Sequence, residues 1–391
     1  MNAESRLLIG ALRRAVAGRE ETLCLNVDWQ KTLKLAAAHM LLPLLYDGLH
    51  RVPEDWAKVP EAAQKTLQQY FMRAVYRDAQ FAHARERLTE ELTGAQVPHV
   101  FLKGAVLKKD YPVPALRTMC DMDVLVYTKD YAAIDAVSEK LGGKPGHSDG
   151  NHRNYSFPGG VTVEFHPNLL HHGTPVGTQI NPGWQYVKEN GELFCREMTE
   201  EGVYLNTLCH LANHFVDGGV GVRFVLDVWV SRHLRKSQPD REFVEKELRR
   251  FGLLEFARHI ETLAEVWFGE GDSSLLPEGL EEYILSSGSH GLSDRAILNA
   301  VALSPGGTQS SALLKKVFYS RAELEDRFPW CKGKPWLLPA AWCTRAFRAV
   351  TRHGSLILKW EKGTGEVSKE DVRQQRQLLR RFGIDAHKKE Q

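Results

Sequence analysis

The chain has 391 residues, 43% of them hydrophobic and 26% charged, with a formal net charge of +2. At roughly 150 residues per domain the length predicts two or three packed units, and the composition is that of a globular chain rather than a disordered one. A net charge so near zero gives no global electrostatic signal for nucleic acid or an anionic membrane.

The six cysteines, Cys24, Cys120, Cys195, Cys209, Cys331 and Cys343, form no CxxC pair. Zinc ribbons and thioredoxin chemistry are therefore not expected, and scattered thiols read as reduced ones. The start of the chain reads as an amphipathic helix rather than a signal peptide, and no apolar run is long enough to cross a membrane. The expected location is the cytoplasm.

In chain order, residues 1–95 form a helical region. Leu7, Leu8, Leu12 and Val16 recur at helical spacing, as do Leu33, Ala36, Ala37, Met40 and Leu41, with Pro43 expected to end or kink this second helix. Residues 61–92 carry no Pro or Gly, which predicts one long helix closed by Gly94.

The texture changes over 96–200, where a small α/β core is expected. His99-Val100-Phe101-Leu102 is a short strand, 105–109 a brief helix, and Asp121 to Val126 a strand entered by an acidic pair. A helix is predicted over 131–141, then a turn-rich run over 142–160. Val161 to His166 alternates apolar and polar and is the clearest strand of all.

Residues 201–391 return to helices, predicted over 204–215, 224–235, 240–251, 253–268, 311–328 and 338–358. The charged tail after Trp360 reads as a loose terminus, and Trp330, Trp336 and Trp342 as core residues. The fold class is α+β: a small mixed-sheet core embedded between helical regions.

Residues two apart on a strand share a face, so Asp121 projects with Asp123, and Thr162 with Glu164 and His166. If the two strands pair, Asp121, Asp123 and Glu164 converge. Three carboxylates at one point repel unless cations lie between them, so removing one would stabilise the metal-free chain. Oxygen ligands favour a hard ion such as Mg²⁺, or Mn²⁺. Two such ions activate a hydroxyl and neutralise a leaving phosphate. Upstream, Gly104 would let a phosphate approach a helix N-terminus, with Lys103 as a point charge and Arg117 as a bidentate contact.

Four further features read in two ways. His210 and His214, four apart, are core or supporting histidines rather than a metalloprotease pair, since the Glu of HExxH is missing. Arg223 and Asp227 read as an ordinary helix ion pair, or as part of an acceptor wall. His147, His152, His166, His171 and His172 match no standard metal spacing and read as loop histidines near the acidic centre. The stretch from His210 to Asp227 is expected to line one wall of the cleft, because so many polar groups on helices need partners.

The run Phe-Leu-Lys-Gly-Ala at 101–105, Tyr-Pro at 111–112, Arg-Thr-Met-Cys-Asp-Met-Asp-Val-Leu-Val at 117–126 and Val-Glu-Phe-His at 163–166 resembles an uncharacterised nucleotidyltransferase family. That family belongs to the polymerase-beta-like nucleotidyltransferase superfamily. His39 before Leu-Leu-Pro, His210, His214, Arg223 with Asp227, and Leu337-Leu338-Pro339 extend the resemblance along the chain.

The resemblance implies that Asp121 and Asp123 bind metal and that Glu164 completes the site and helps to deprotonate an acceptor hydroxyl. It implies an NTP such as ATP as donor, pyrophosphate as leaving group, and a small molecule, peptide or RNA as acceptor. The superfamily turn carries Gly-Ser or Gly-Gly, whereas this chain has Lys103-Gly104-Ala105, so Lys103 stands in for the missing hydroxyl. Two other readings keep the same residues: a nucleotide-binding protein without turnover, and a metallohydrolase that adds histidine ligands.

Overall fold

A computed structural model describes residues 1–127, 131–146, 152–170, 180–181, 183–188, 191, 193–289, 291–304, 321, 324–325, 328–345 and 368–385. His147, His171 and His172 lie outside these residues, as do most of 311–328 and part of 338–358.

The chain opens with α1 (Ala3–Leu12), α2 (Trp29–Ala38), α3 (Leu42–His50), the short α4 (Pro53–Trp56) and the 34-residue α5 (Glu61–Gly94). Pro43 does not end α2. That helix stops at Ala38, Met40 turns through a left-handed φ of 59°, and Pro43 lies in the first turn of α3. Proline is favoured there because its missing N–H would have had no partner anyway.

Next come β1 (His99–Phe101), α6 (Gly104–Leu107), β2 (Asp121–Val126), α7 (Ala132–Lys140), β3 (Lys144–Pro145), β4 (Arg153–Phe157), β5 (Val161–His166) and β6 (Cys195–Arg196). The strands form one mixed sheet in the order β3-β4-β5-β2-β1-β6. β2 runs parallel to β5 and antiparallel to β1. The run over 142–160, expected as turns, contains two strands. Tyr155 and Phe157 of β4 point into the core while Ser156 between them is exposed, an alternation too short to stand out between glycines.

After the sheet come α8 (Glu200–Val216), α9 (Val222–His233), α10 (Arg241–Phe251), α11 (Leu254–Phe268), α12 (Leu280–Leu285), α13 (Ser293–Ala302) and α14 (Lys369–Arg381). The fold is α+β, a six-stranded mixed sheet with helical flanks.

Two apolar layers sandwich the sheet. On one face Met122, Val124, Val126, Val161, Val163 and Phe165 pack with Phe81, Leu88 and Leu92 of α5. Each fully buried side chain of that size contributes about 1.5–3 kcal/mol. So α5 belongs to the sheet's core as well as to the first helices. On the other face, helices from both ends of the chain share one large core. Leu8 and Leu12 of α1 join Leu263 and Phe268 of α11, together with Val100 and Leu125 of the sheet.

The tail is not loose where it is described. Ser368 and Asp371 form a reciprocal cap on α14, worth about 1 kcal/mol. Val372, Leu379, Phe382 and Ile384 enter the main core, and the Phe382 ring stands edge-on to Phe215 at 5.8 Å. High charge on the outer face masks this apolar stripe in the sequence. Trp330 and Trp336 are exposed rather than core, at 44% and 72%. Among the described residues no helix is long and apolar enough to cross a membrane.

Candidate active site

Asp121 and Asp123 lie side by side with β5 because β2 and β5 are parallel neighbours in register. Asp121 faces Thr162, Asp123 faces Glu164 and Leu125 faces His166. The apolar alternates of both strands are drawn into the α5 side of the core, which leaves the polar set no other face. The pairing expected from alternation is therefore the pairing found.

These side chains line a cavity of about 430 Å³, together with Lys103, Gly104 and Arg117. The opposite wall is helical: Thr207, His210, Asn213 and His214 from one face of α8, Asp217 just past its end, and Arg223, Phe224 and Asp227 from α9. The size suits a small-molecule site. All eleven residues singled out in the sequence line this one cavity.

Asp123 is the centre of the polar contacts and is only 5% exposed. Its Oδ1 accepts from Lys103 Nζ at 2.7 Å and lies 2.9 Å from His166 Nε2. Burial opposes ionisation, but Lys103 and His166 outweigh it and hold the carboxyl well below the usual carboxylate range. Asp121 responds in the other direction. Burial, then the charge of Asp123, raises its carboxyl above the ordinary value despite Lys103.

His166 Nε2 is also 3.5 Å from Glu164 Oε2, and Asn154 Nδ2 donates to Glu164 Oε1 at 3.0 Å. The donor atoms of Asp123, Glu164 and His166 lie within 4.8 Å of one another, a group that could hold a metal ion. That group differs from the expected one, since His166 joins it and Asp121 stands beside it on the same cavity wall. Two carboxylates and an imidazole form a donor set that could hold a divalent cation, with Lys103 the charge it would have to displace from Asp123.

Three expected roles change. Arg117 does not offer its fork to the cavity: Nε donates to Asp227 Oδ1 at 3.0 Å and Nη2 to Asp227 Oδ2 at 2.6 Å. Tyr111 Oη donates to the same Oδ1 at 2.7 Å. Burial disfavours charge on Arg117, yet Asp227 raises its pKa above the ordinary value. Asp227 is thus not the partner of Arg223, four residues earlier. Arg223 Nη1 instead donates to the Thr118 carbonyl at 2.9 Å and contacts Met40 Sδ at 3.2 Å.

Gly104 has a packing role in its turn. A Cβ there would come within 2.5 Å of Arg117 Nη1 and 2.7 Å of Met119 Sδ, so the glycine makes room for side chains. The positive φ of this turn, 48°, falls on Lys103, which costs of order 1–3 kcal/mol and aims the ammonium at Asp123. The helix that follows spans only Gly104–Leu107, too short for a sizeable end charge.

His210 and His214 bond to each other through their Nε2 atoms at 3.0 Å, and Phe224 stacks on His210. Burial first, then Lys103, pushes the His210 pKa well down, so the ring is neutral. Asn154, Tyr111, Thr207, Asn213 and Asp217 escaped sequence reasoning. The helical spacing 207, 210, 213, 214, 217 was the signal available for the last three.

A family described as uncharacterised nucleotidyltransferase matches residues 26–269, more than half of the chain. The chain belongs to this nucleotidyltransferase family. The matched region runs from α2 to just past α11 and so contains both walls of the cavity. No curated protein and no solved structure matches the chain.

Proposed function

We propose that this family member transfers a nucleoside monophosphate from an NTP such as ATP to an acceptor hydroxyl, with release of pyrophosphate. The observation that carries the reading is the register of β2 against β5, which sets Asp121, Asp123 and Glu164 on one cavity wall. A divalent cation held there would neutralise the transferring phosphoryl group and lower the pKa of a bound hydroxyl.

Asp123 and Glu164 would hold that cation, with His166 and Asp121 beside them. Asn154 orients Glu164 by donating to one of its oxygens. Lys103 neutralises Asp123 before the cation arrives. Once displaced, its ammonium would be at hand for the donor's phosphates. The helical wall, with neutral His210 and Asn213, would face the acceptor and exclude water. The proposed acceptor is a hydroxyl-bearing small molecule, peptide or RNA, and the cytoplasm is the proposed location.

The test is transfer of label from α-³²P-NTPs to cell-extract acceptors in Mg²⁺ or Mn²⁺, with pyrophosphate counted in parallel. No labelled product with any nucleotide, and no pyrophosphate, rejects the reading. His166 in the cluster supports a second reading, a metallohydrolase on a mixed oxygen and nitrogen donor set. Stoichiometric zinc or iron in the purified protein, with phosphoester hydrolysis and no transfer, would favour it.

A further inference from the structure

Arg223 sits in three unfavourable circumstances at once. It occupies the first turn of α9 (Val222–His233), where the positive end of the helix dipole repels a cation. It lies near a second guanidinium, that of Arg117; burial first and then that neighbour lower its pKa, and the more distant charge of Asp227 offsets this only in part. Its helix neighbour Asp227 is saturated by Arg117 and Tyr111. Among the described residues Arg223 therefore has no carboxylate partner.

The contacts it does make are to neutral groups: the Thr118 carbonyl, the Met40 thioether and the Phe224 ring, 5.6 Å from the guanidinium carbon. A thioether is a weak acceptor. Arg223 Nε is sealed from solvent and has no hydrogen-bond partner, and a buried donor without an acceptor is destabilising. The segment that holds it is itself strained: Met40 has a φ of 59°, and Thr118 Oγ1 donates to its carbonyl at 3.1 Å. Yet Arg223 lines the same cavity as Asp121, Asp123 and Glu164. An anion in that cavity would supply the opposite charge that Arg223 lacks.

We propose that Arg223 binds the polyphosphate tail of the donor nucleotide, the part expected from sequence of Arg117. Arg117 is the strut that holds the insert against α9, and Arg223 is the guanidinium left over for ligand. The inference rests on the reading of the cavity as a nucleotide site and names one residue of its phosphate subsite.

The experiment titrates inorganic tripolyphosphate and ATP, each with Mg²⁺, into wild type, Arg223→Met and Arg223→Lys, and records ligand-free melting curves. Loss of a charge-assisted contact should weaken both ligands by about 10- to 100-fold in Arg223→Met. Arg223→Lys should fall between the two. Because Arg223 is a burden on the ligand-free fold, Arg223→Met should melt no lower than wild type. Wild-type affinity for tripolyphosphate in both variants overturns the inference, and so does a marked fall in melting temperature, which would make Arg223 a structural residue. If wild type itself binds neither ligand, the nucleotide reading falls with it. If wild type binds and the variants bind equally well, only the role of Arg223 falls.

Discussion

Arg117 and Asp227 are 110 residues apart in the chain and meet in a buried, two-bond ion pair, Nε to Oδ1 at 3.0 Å and Nη2 to Oδ2 at 2.6 Å. The pair joins the segment that leads into β2 to helix α9. It is a direct electrostatic link between the segment that leads into the carboxylate-bearing sheet and the helical wall that faces it.

Breaking that link on one side leaves an uncompensated buried charge. Asp227→Ala should cost about 3–5 kcal/mol, whereas Arg117→Met with Asp227→Leu should recover most of the loss. Urea denaturation of the two variants checks this. A midpoint for Asp227→Ala equal to wild type would show that the pair contributes nothing to the fold.

Asp123→Asn separates the two roles of Asp123. Loss of about 4 kcal/mol of transition-state stabilisation slows transfer about a thousandfold. Alternation alone suggested that removing one carboxylate would relieve repulsion and stabilise the metal-free chain. Instead Asp123 Oδ1 lies against both Lys103 and His166, so the variant should lose about 1–3 kcal/mol. A melting curve without metal decides: a higher melting temperature would mean that repulsion dominates after all.

Lys103→Met removes the cation that competes for Asp123. Divalent-ion affinity, measured with Mn²⁺ by calorimetry without nucleotide, should rise about tenfold, which is about 1.4 kcal/mol. NTP affinity should fall in the same variant. Unchanged Mn²⁺ binding would mean that the ammonium does not occupy the ion's position.

His39 makes the fold sensitive to acid. It is fully buried; its Nδ1 accepts from the Val222 N–H at 3.1 Å and its Nε2 is 3.1 Å from the Leu285 carbonyl. The bond from Val222 requires an unprotonated Nδ1, and burial lowers the ring's pKa from 6.5 although the Leu285 carbonyl pulls the other way. A depressed folded pKa means that the unfolded chain takes the proton first. The His39 contribution is therefore complete above pH 6.5 and lost as pH falls toward the folded value, by up to about 1.4 kcal/mol per pH unit. The stability gap between wild type and His39→Gln should shrink between pH 7.5 and 5.5. A gap that stays constant would show that His39 does not titrate on unfolding.

Much of the local structure was legible in the chain. Period-two alternation in Val161 to His166 and the acidic start of Asp121 to Val126 found both central strands with their bounds. The unbroken run after Glu61 found the long helix. Short strands were missed, as at Arg153–Phe157, because a few residues between glycines give too little pattern to read. The C-terminal helix was missed because its two buried positions, Val372 and Leu379, are diluted by charged neighbours.

The sequence by itself singled out polar residues in an otherwise apolar setting, and eleven of these are among the side chains that line the cavity. That follows from strand and helix periods, which are local properties of the backbone. Only the tertiary structure decided who pairs with whom. Asp227 lies four residues from Arg223 but bonds to Arg117 and Tyr111, and His166 rather than Asp121 closes on Asp123 and Glu164. A side chain in a buried cleft takes the partner with the best geometry and the least solvent. That partner can lie a hundred residues away, where no spacing rule reaches.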